Sequence, residues 1–122
     1  MKQARLIVFV FLVVVPSVLL AQDPVKVAPS QVKVLLENDE VRVIEFTAKA
    51  GEKIGMHSHP AHVIYPLADG KTLFTLPDGT KRELEIKKGV AQWVAPVTHA
   101  HEALTENHVF VVELKKSASN AK

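Results

Sequence analysis

Three of the chain's six histidines fall within six residues, in Met56-His57-Ser58-His59-Pro60-Ala61-His62. Side chains two apart on a β-strand point to the same face, so His57 and His59 project into one space. Imidazole is the commonest protein metal ligand, and two converging imidazoles make half of a first-row metal site. His62 follows Pro60, which bends or interrupts the strand, and is either a further ligand or a turn residue beside Pro60-Ala61. Far downstream, His99 and His101 are again two apart. One of them is the expected remaining ligand; the other packs or hydrogen-bonds behind it. His108, beside an apolar run, reads as a surface residue.

The other polar residues point less clearly to chemistry. Glu45, Glu83, Glu85 and Glu113 alternate with apolar neighbours and read as solvated strand faces. Glu102 and Glu106 lie near the second histidine pair and could approach a pocket from a loop. Gln92 and Tyr65 could stand behind a ligand or face a substrate, and Trp93 reads as core or pocket wall. No Ser-His-Asp arrangement, phosphate-cradling glycine loop or paired-carboxylate motif is recognisable. The chain has no cysteine, so any metal must be held by nitrogen and oxygen.

The elements that must carry these histidines are short strands. Val32–Leu36 ends at Asn38-Asp39, and Val41–Phe46 resumes, rich in β-branched residues. Ala50-Gly51-Glu52 precedes Lys53–His59. His62–Tyr65 follows, broken by Pro66, so this strand is expected to be bulged or at an edge. Asp69-Gly70 and Pro77-Asp78-Gly79-Thr80 are hairpin turns around Lys71–Leu76. Arg82–Lys87 alternates charged and apolar residues, Val90–Ala95 follows Lys88-Gly89, and Thr98–His101 and His108–Leu114 complete the set. No segment of this part sustains a helical period, so the expected class is all-β, a sandwich or barrel.

The N-terminus is different. Lys2 and Arg5, the apolar run from Leu6 to Val15, and Ala21 resemble a charged region, an apolar core and a cleavage point, so residues 1–21 read as a signal peptide. Export to the periplasm or the medium follows as an expectation, with membrane attachment only through an uncleaved leader. Removing Lys2 and Arg5 leaves 13 of the 15 basic residues against 13 acidic ones, a net charge of zero. No basic stripe then remains to suggest nucleic acid. Residues 22–30, with Pro24 and Pro29, read as an extended arm, 31–116 as the domain, and 117–122 as a polar tail.

The segment from Leu35 to Lys116 resembles the cupins. Their first motif, G-x5-H-x-H-x3,4-E-x6-G, is matched by Gly51, His57, His59 and Gly70. Their second, G-x5-P-x-G-x2-H-x3-N, is matched loosely by Gly89, Pro96 and His99. The first motif's metal-binding Glu is missing, and alignment places His62 there. The glycine before the second-motif histidine is absent, that loop is one residue short, and the closing Asn is Ala103. The resemblance implies a cupin-type β-barrel or jelly roll of two antiparallel sheets. It maps the family's ligands to His57, His59, His62 and His99, with His101 in reserve, and suggests a homodimer through sheet-edge pairing.

An all-imidazole shell suits iron, zinc, copper or nickel better than manganese, which prefers a hard oxygen ligand. Its metal affinity is expected to fall steeply below about pH 6, near the ordinary histidine pKa. Two functions fit: a metal-dependent enzyme of dioxygenase-like or isomerase-like type acting on a small molecule, or a non-catalytic module binding metal or a small ligand. A degenerate barrel without metal is the third reading. The fold alone does not choose among them.

Overall fold

The computed structural model describes residues 22–115; the expected signal peptide lies outside them. A helical turn, α1 (Pro24–Val27), precedes nine strands: β1 (Val32–Glu37), β2 (Val41–Ala48), β3 (Lys53–His59), β4 (His62–Pro66), β5 (Gly70–Thr75), β6 (Lys81–Ile86), β7 (Gln92–Val94), β8 (Val97–Ala103) and β9 (Asn107–Leu114). They form two antiparallel sheets, β1-β2-β9-β4-β7 and β3-β8-β5-β6. The fold class is the one the sequence implied, a jelly-roll arrangement of facing sheets.

Two local expectations are corrected. The arm at 22–30 is not extended throughout, because Asp23 caps α1 by accepting from the Val25 amide at 2.9 Å and Pro24 opens it. Asp-Pro is a helix-start signal: the cap oxygen satisfies an orphan amide, and proline has no amide to satisfy. Strand β4 is neither bulged nor at an edge, since it pairs without a register shift with β9 on one side and β7 on the other. Pro66 is tolerated there because it is the last residue of the strand.

Alternation sets the two faces of the larger sheet. On β9, Asn107, Val109, Val111 and Glu113 are buried, while the residues between them are less so. Ile44, Val109 and Val111 pack with Val32, Ile54 and Ile86 from the other strands to form the core. The outer face is also apolar. One cross-strand row runs Leu36, Val43, Val112, Val63, Trp93 through all five strands. Trp93 is 62% exposed on this face, so it is neither core nor pocket wall. Its strand has only three residues and lies at the sheet's edge, and its phase turns Trp93 outward.

Candidate metal centre

Strand β3 carries the first two histidines, and a bulge sets their phase. The pairing with β8 shifts register between Ile54 and His57, at Gly55-Met56. The extra residue lets Ile54 and His57, three apart, both turn inward, where each is buried. His57 then lies opposite His99 on β8, and His59 opposite Val97. His62 begins β4 on the facing sheet.

The rings converge. Centroids are 4.9 Å apart for His57 and His59, 4.8 Å for His57 and His99, and 5.5 Å for His59 and His99. One nitrogen from each of the three lies within 4.8 Å of the others. His62 stands beside this group, its ring 4.9 Å from that of His59, but is not one of the three. All four line a cavity of about 470 Å³ between the sheets, whose other walls are mainly apolar.

Hydrogen bonds fix which nitrogens face inward. The Nδ1–H of His57 donates to the Gly55 carbonyl at 2.8 Å, and that of His62 to the Pro60 carbonyl at 2.8 Å. His59 Nδ1–H donates to Glu113 Oε1 at 2.7 Å. Carbonyl and carboxylate oxygens only accept, so Nδ1 is the donor in each ring, and in the neutral form the lone pair is on Nε2, facing inward. That is the tautomer that coordination through the inward Nε2 needs.

His101 is committed elsewhere. Its Nε2 is hydrogen-bonded to Thr72 Oγ1, and its ring meets the Phe46 ring edge-on at 4.8 Å. Its Nδ1 is buried without a partner. His99 makes no such bond among the described residues; its ring stacks on Phe74 with centroids 4.5 Å apart. Of the pair that the sequence left in competition, His99 is the one grouped with His57 and His59.

Burial favours the neutral form of His57, His62, His99 and His101. Desolvation is the first cause that lowers the pKa values of His57 and His62, with the neighbouring His59 adding to it. His99 is pushed down to about 2 and His101 to about 4, by burial first and then by repulsion from the surrounding histidines. Neutral imidazoles with lone pairs directed inward are ready to coordinate.

Sequence reasoning missed the carboxylate that supports the site. Glu113 was expected on a wet face and is instead 2% exposed. Besides His59, its Oε2 accepts from Arg42 Nε at 2.6 Å, and Arg42 reaches Asp23 Oδ2 at 2.7 Å. Burial alone would raise the Glu113 pKa, but the bonds from His59 and Arg42 outweigh it and hold the carboxylate ionised. Asp23, Arg42, Glu113 and His59 thus form one chain from the N-terminal arm to the site. The arm is also tied at Gln22, whose carbonyl accepts from the Ser58 amide at 3.0 Å. A signal existed: Arg42 is the one basic residue of β2 and Glu113 the one carboxylate of β9, each set among apolar neighbours.

The remaining candidates lie away from the cavity. His108 pairs with Glu45 at 2.8 Å on the outer face, and Tyr65 is exposed there. Glu102 faces Lys53 at 3.7 Å, Glu106 is exposed, and Gln92 pairs with Ile64 on β4.

No family model and no curated protein matches the chain. Solved structures do. A cupin domain from Bordetella pertussis Tohama I is 26% identical with a TM-score of 0.62, covering 69% of this chain and 91% of that one. An RmlC-like cupin protein from Desulfovibrio desulfuricans is 24% identical, with a TM-score of 0.54 over 69% of this chain and 80% of that one. An RmlC-like cupin family protein with a double-stranded β-helix fold, from Methanocaldococcus jannaschii, is 18% identical, with a TM-score of 0.53 over 68% and 77%. The two facing sheets are similar to those of these cupin structures, and the histidine cluster between them is compatible with a metal site.

Proposed function

We propose that this is an exported cupin that binds one divalent transition metal through His57, His59 and His99 and presents it to a small molecule in the apolar cavity. The observation that carries the reading is the convergence of three imidazole nitrogens within 4.8 Å of one another. Iron, zinc, copper or nickel suits an all-nitrogen donor set, and manganese suits it less. A bound metal supplies Lewis-acid or redox chemistry at positions the three ligands leave open. The chain's own residues orient and protect it. Glu113 fixes the His59 ring, the apolar walls exclude bulk water, and His62 offers a lone pair at Nε2 that can accept a proton from a bound ligand. His62 as a fourth ligand would close an open position and favour the non-catalytic module.

The test is the metal content of protein purified without chelator, beside His57→Ala and His99→Ala. About one metal per chain in the wild type, lost in both variants, is the expected result. No binding after addition of iron, zinc, copper and nickel would sink the reading.

Self-association belongs to the same proposal. The row from Leu36 to Trp93 spans five strands spaced about 4.8 Å, and with its flanking rows it offers about 500 Å² per copy. Two copies face to face would bury about 1,000 Å², the lower bound for a specific interface. A two-fold axis parallel to the strands would set the Leu36 edge of one copy against the Trp93 edge of the other. Sedimentation should give a dimer that Val112→Lys converts to monomer. A wild-type monomer at all concentrations removes this part of the proposal.

A further inference from the structure

The histidines occupy one side of the cavity, and another part of its wall carries a charge that metal binding does not use. On β6, Arg82, Leu84 and Ile86 alternate with outward residues, and all three line the cavity. Lys71 pairs with Glu83 and Glu85 on the other face of that strand. Arg82 makes no ion pair among the described residues, and Asp78 in the preceding turn acts on it only through space. A guanidinium on an apolar wall calls for an anion.

Its neighbours order the wall. Arg82 lies beside Phe74 on β5, and Phe74 lies opposite His101 on β8. The Phe74 ring stacks on His99. Across the sheet the sequence is therefore a cation, an aromatic plate and a histidine of the cluster, with Arg82 and β8 about 10 Å apart at two strand spacings. Of the neutral polar groups on the wall, some are engaged, while His101 Nδ1 and Asn107 Oδ1 are buried without a partner among the described residues. Thr72 bonds His101 and the Glu102 carbonyl, and Asn107 Nδ2 reaches the Lys71 carbonyl. An apolar body with one anionic end matches the mainly apolar wall and the Arg82 guanidinium.

We propose that the ligand of this cavity is a small apolar monocarboxylate, its carboxylate received by Arg82 and its body lying over Phe74 toward the histidines. Arg82 suits the role because its planar fork accepts a carboxylate through two parallel hydrogen bonds. The cavity, at about 470 Å³, has the size of a small-ligand site. The proposal rests on the metal reading only for what the far end of the ligand meets.

Calorimetric titration with 3-phenylpropionate and its uncharged amide, in metal-free and zinc-loaded protein, tests it. The acid should bind at least about tenfold more tightly than the amide in both forms, and Arg82→Gln should reduce the acid to the level of the amide. Arg82 is exposed at the cavity wall, so the variant should melt with the wild type. Equal binding of acid and amide without metal, binding of neither, or an acid preference that Arg82→Gln leaves intact overturns the proposal. A preference that appears only with zinc assigns the carboxylate to the metal and overturns it as well. The metal reading fails separately, when zinc does not bind but the Arg82-dependent preference persists.

Discussion

Glu113→Gln should weaken metal binding about 10–100-fold, the range seen when the group that orients a ligating histidine is removed. The substitution preserves shape and removes charge. An amide oxygen can still accept from His59 Nδ1, but the amide's NH₂ group then faces the Arg42 guanidinium, donor against donor. The alternative flip satisfies Arg42 and breaks His59. One side of the carboxylate's two-way contact must fail, because Glu113 binds His59 at 2.7 Å and Arg42 at 2.6 Å with its two oxygens. The stability cost follows from burial. Glu113 and Arg42 side chains are 3% and 14% exposed, so removing the anion leaves a cation with little water. Breaking such a pair costs about 3–5 kcal/mol, and the contact of Arg42 with Asp23 at 2.7 Å places the loss at the lower end. Urea unfolding beside metal titration separates the two effects. Unchanged metal affinity in a folded variant would show that Glu113 only holds the barrel together.

The strands were legible because turn residues punctuate the chain and β-branched residues fill the gaps; the expected Lys53–His59 is the observed β3. The pairing of His57 with His59 was legible for a related reason, since spacing of two puts side chains on one face; spacing left His99 and His101 in competition for the third place, and the resemblance to the second motif favoured His99. What spacing could not give was phase in strands apolar on both faces. In β9 the sequence His108-Val109-Phe110-Val111-Val112-Glu113-Leu114 has apolar residues at both parities. The single Glu was therefore assigned to water by its charge. Its partner Arg42 lies 71 residues away, and only the β2–β9 pairing brings them opposite one another. Trp93 failed in the opposite direction: its size argued for the core, while its strand lies at an edge of the sheet. The segment that resembles the cupins' first motif lacks their Glu, and the carboxylate at the site comes instead from β9, behind a histidine.

Metal-free protein should unfold in mild acid, with a midpoint near pH 4.5, and excess zinc should protect it. In the unfolded chain each histidine binds a proton near 6.5. In the fold, burial first and neighbouring histidines second hold His57, His62, His99 and His101 below that value, His101 to about 4 and His99 to about 2. Below pH 6.5 the unfolded state therefore binds more protons than the folded one, and stability falls as pH falls. Each such histidine removes about 1.4 kcal/mol per pH unit until its folded pKa is reached. His99 and His101 alone, over two units, remove about 5 kcal/mol, the lower bound of a small domain's stability. Glu113 acts later, because its lowered pKa keeps its contribution until the pH drops below the ordinary carboxylate value. The steep loss of metal affinity expected from the sequence near pH 6 is thereby displaced: at His57 and His99 the folded site does not admit the competing proton there, and the fold gives way instead. Zinc binds only the state that presents neutral imidazoles together, so at a hundredfold excess over Kd it adds about 2.7 kcal/mol. Circular dichroism across pH 7 to 3, with and without zinc, measures both effects. A chelated protein whose unfolding midpoint in urea is the same at pH 7 and pH 5 would show that these histidines are not held neutral by the fold.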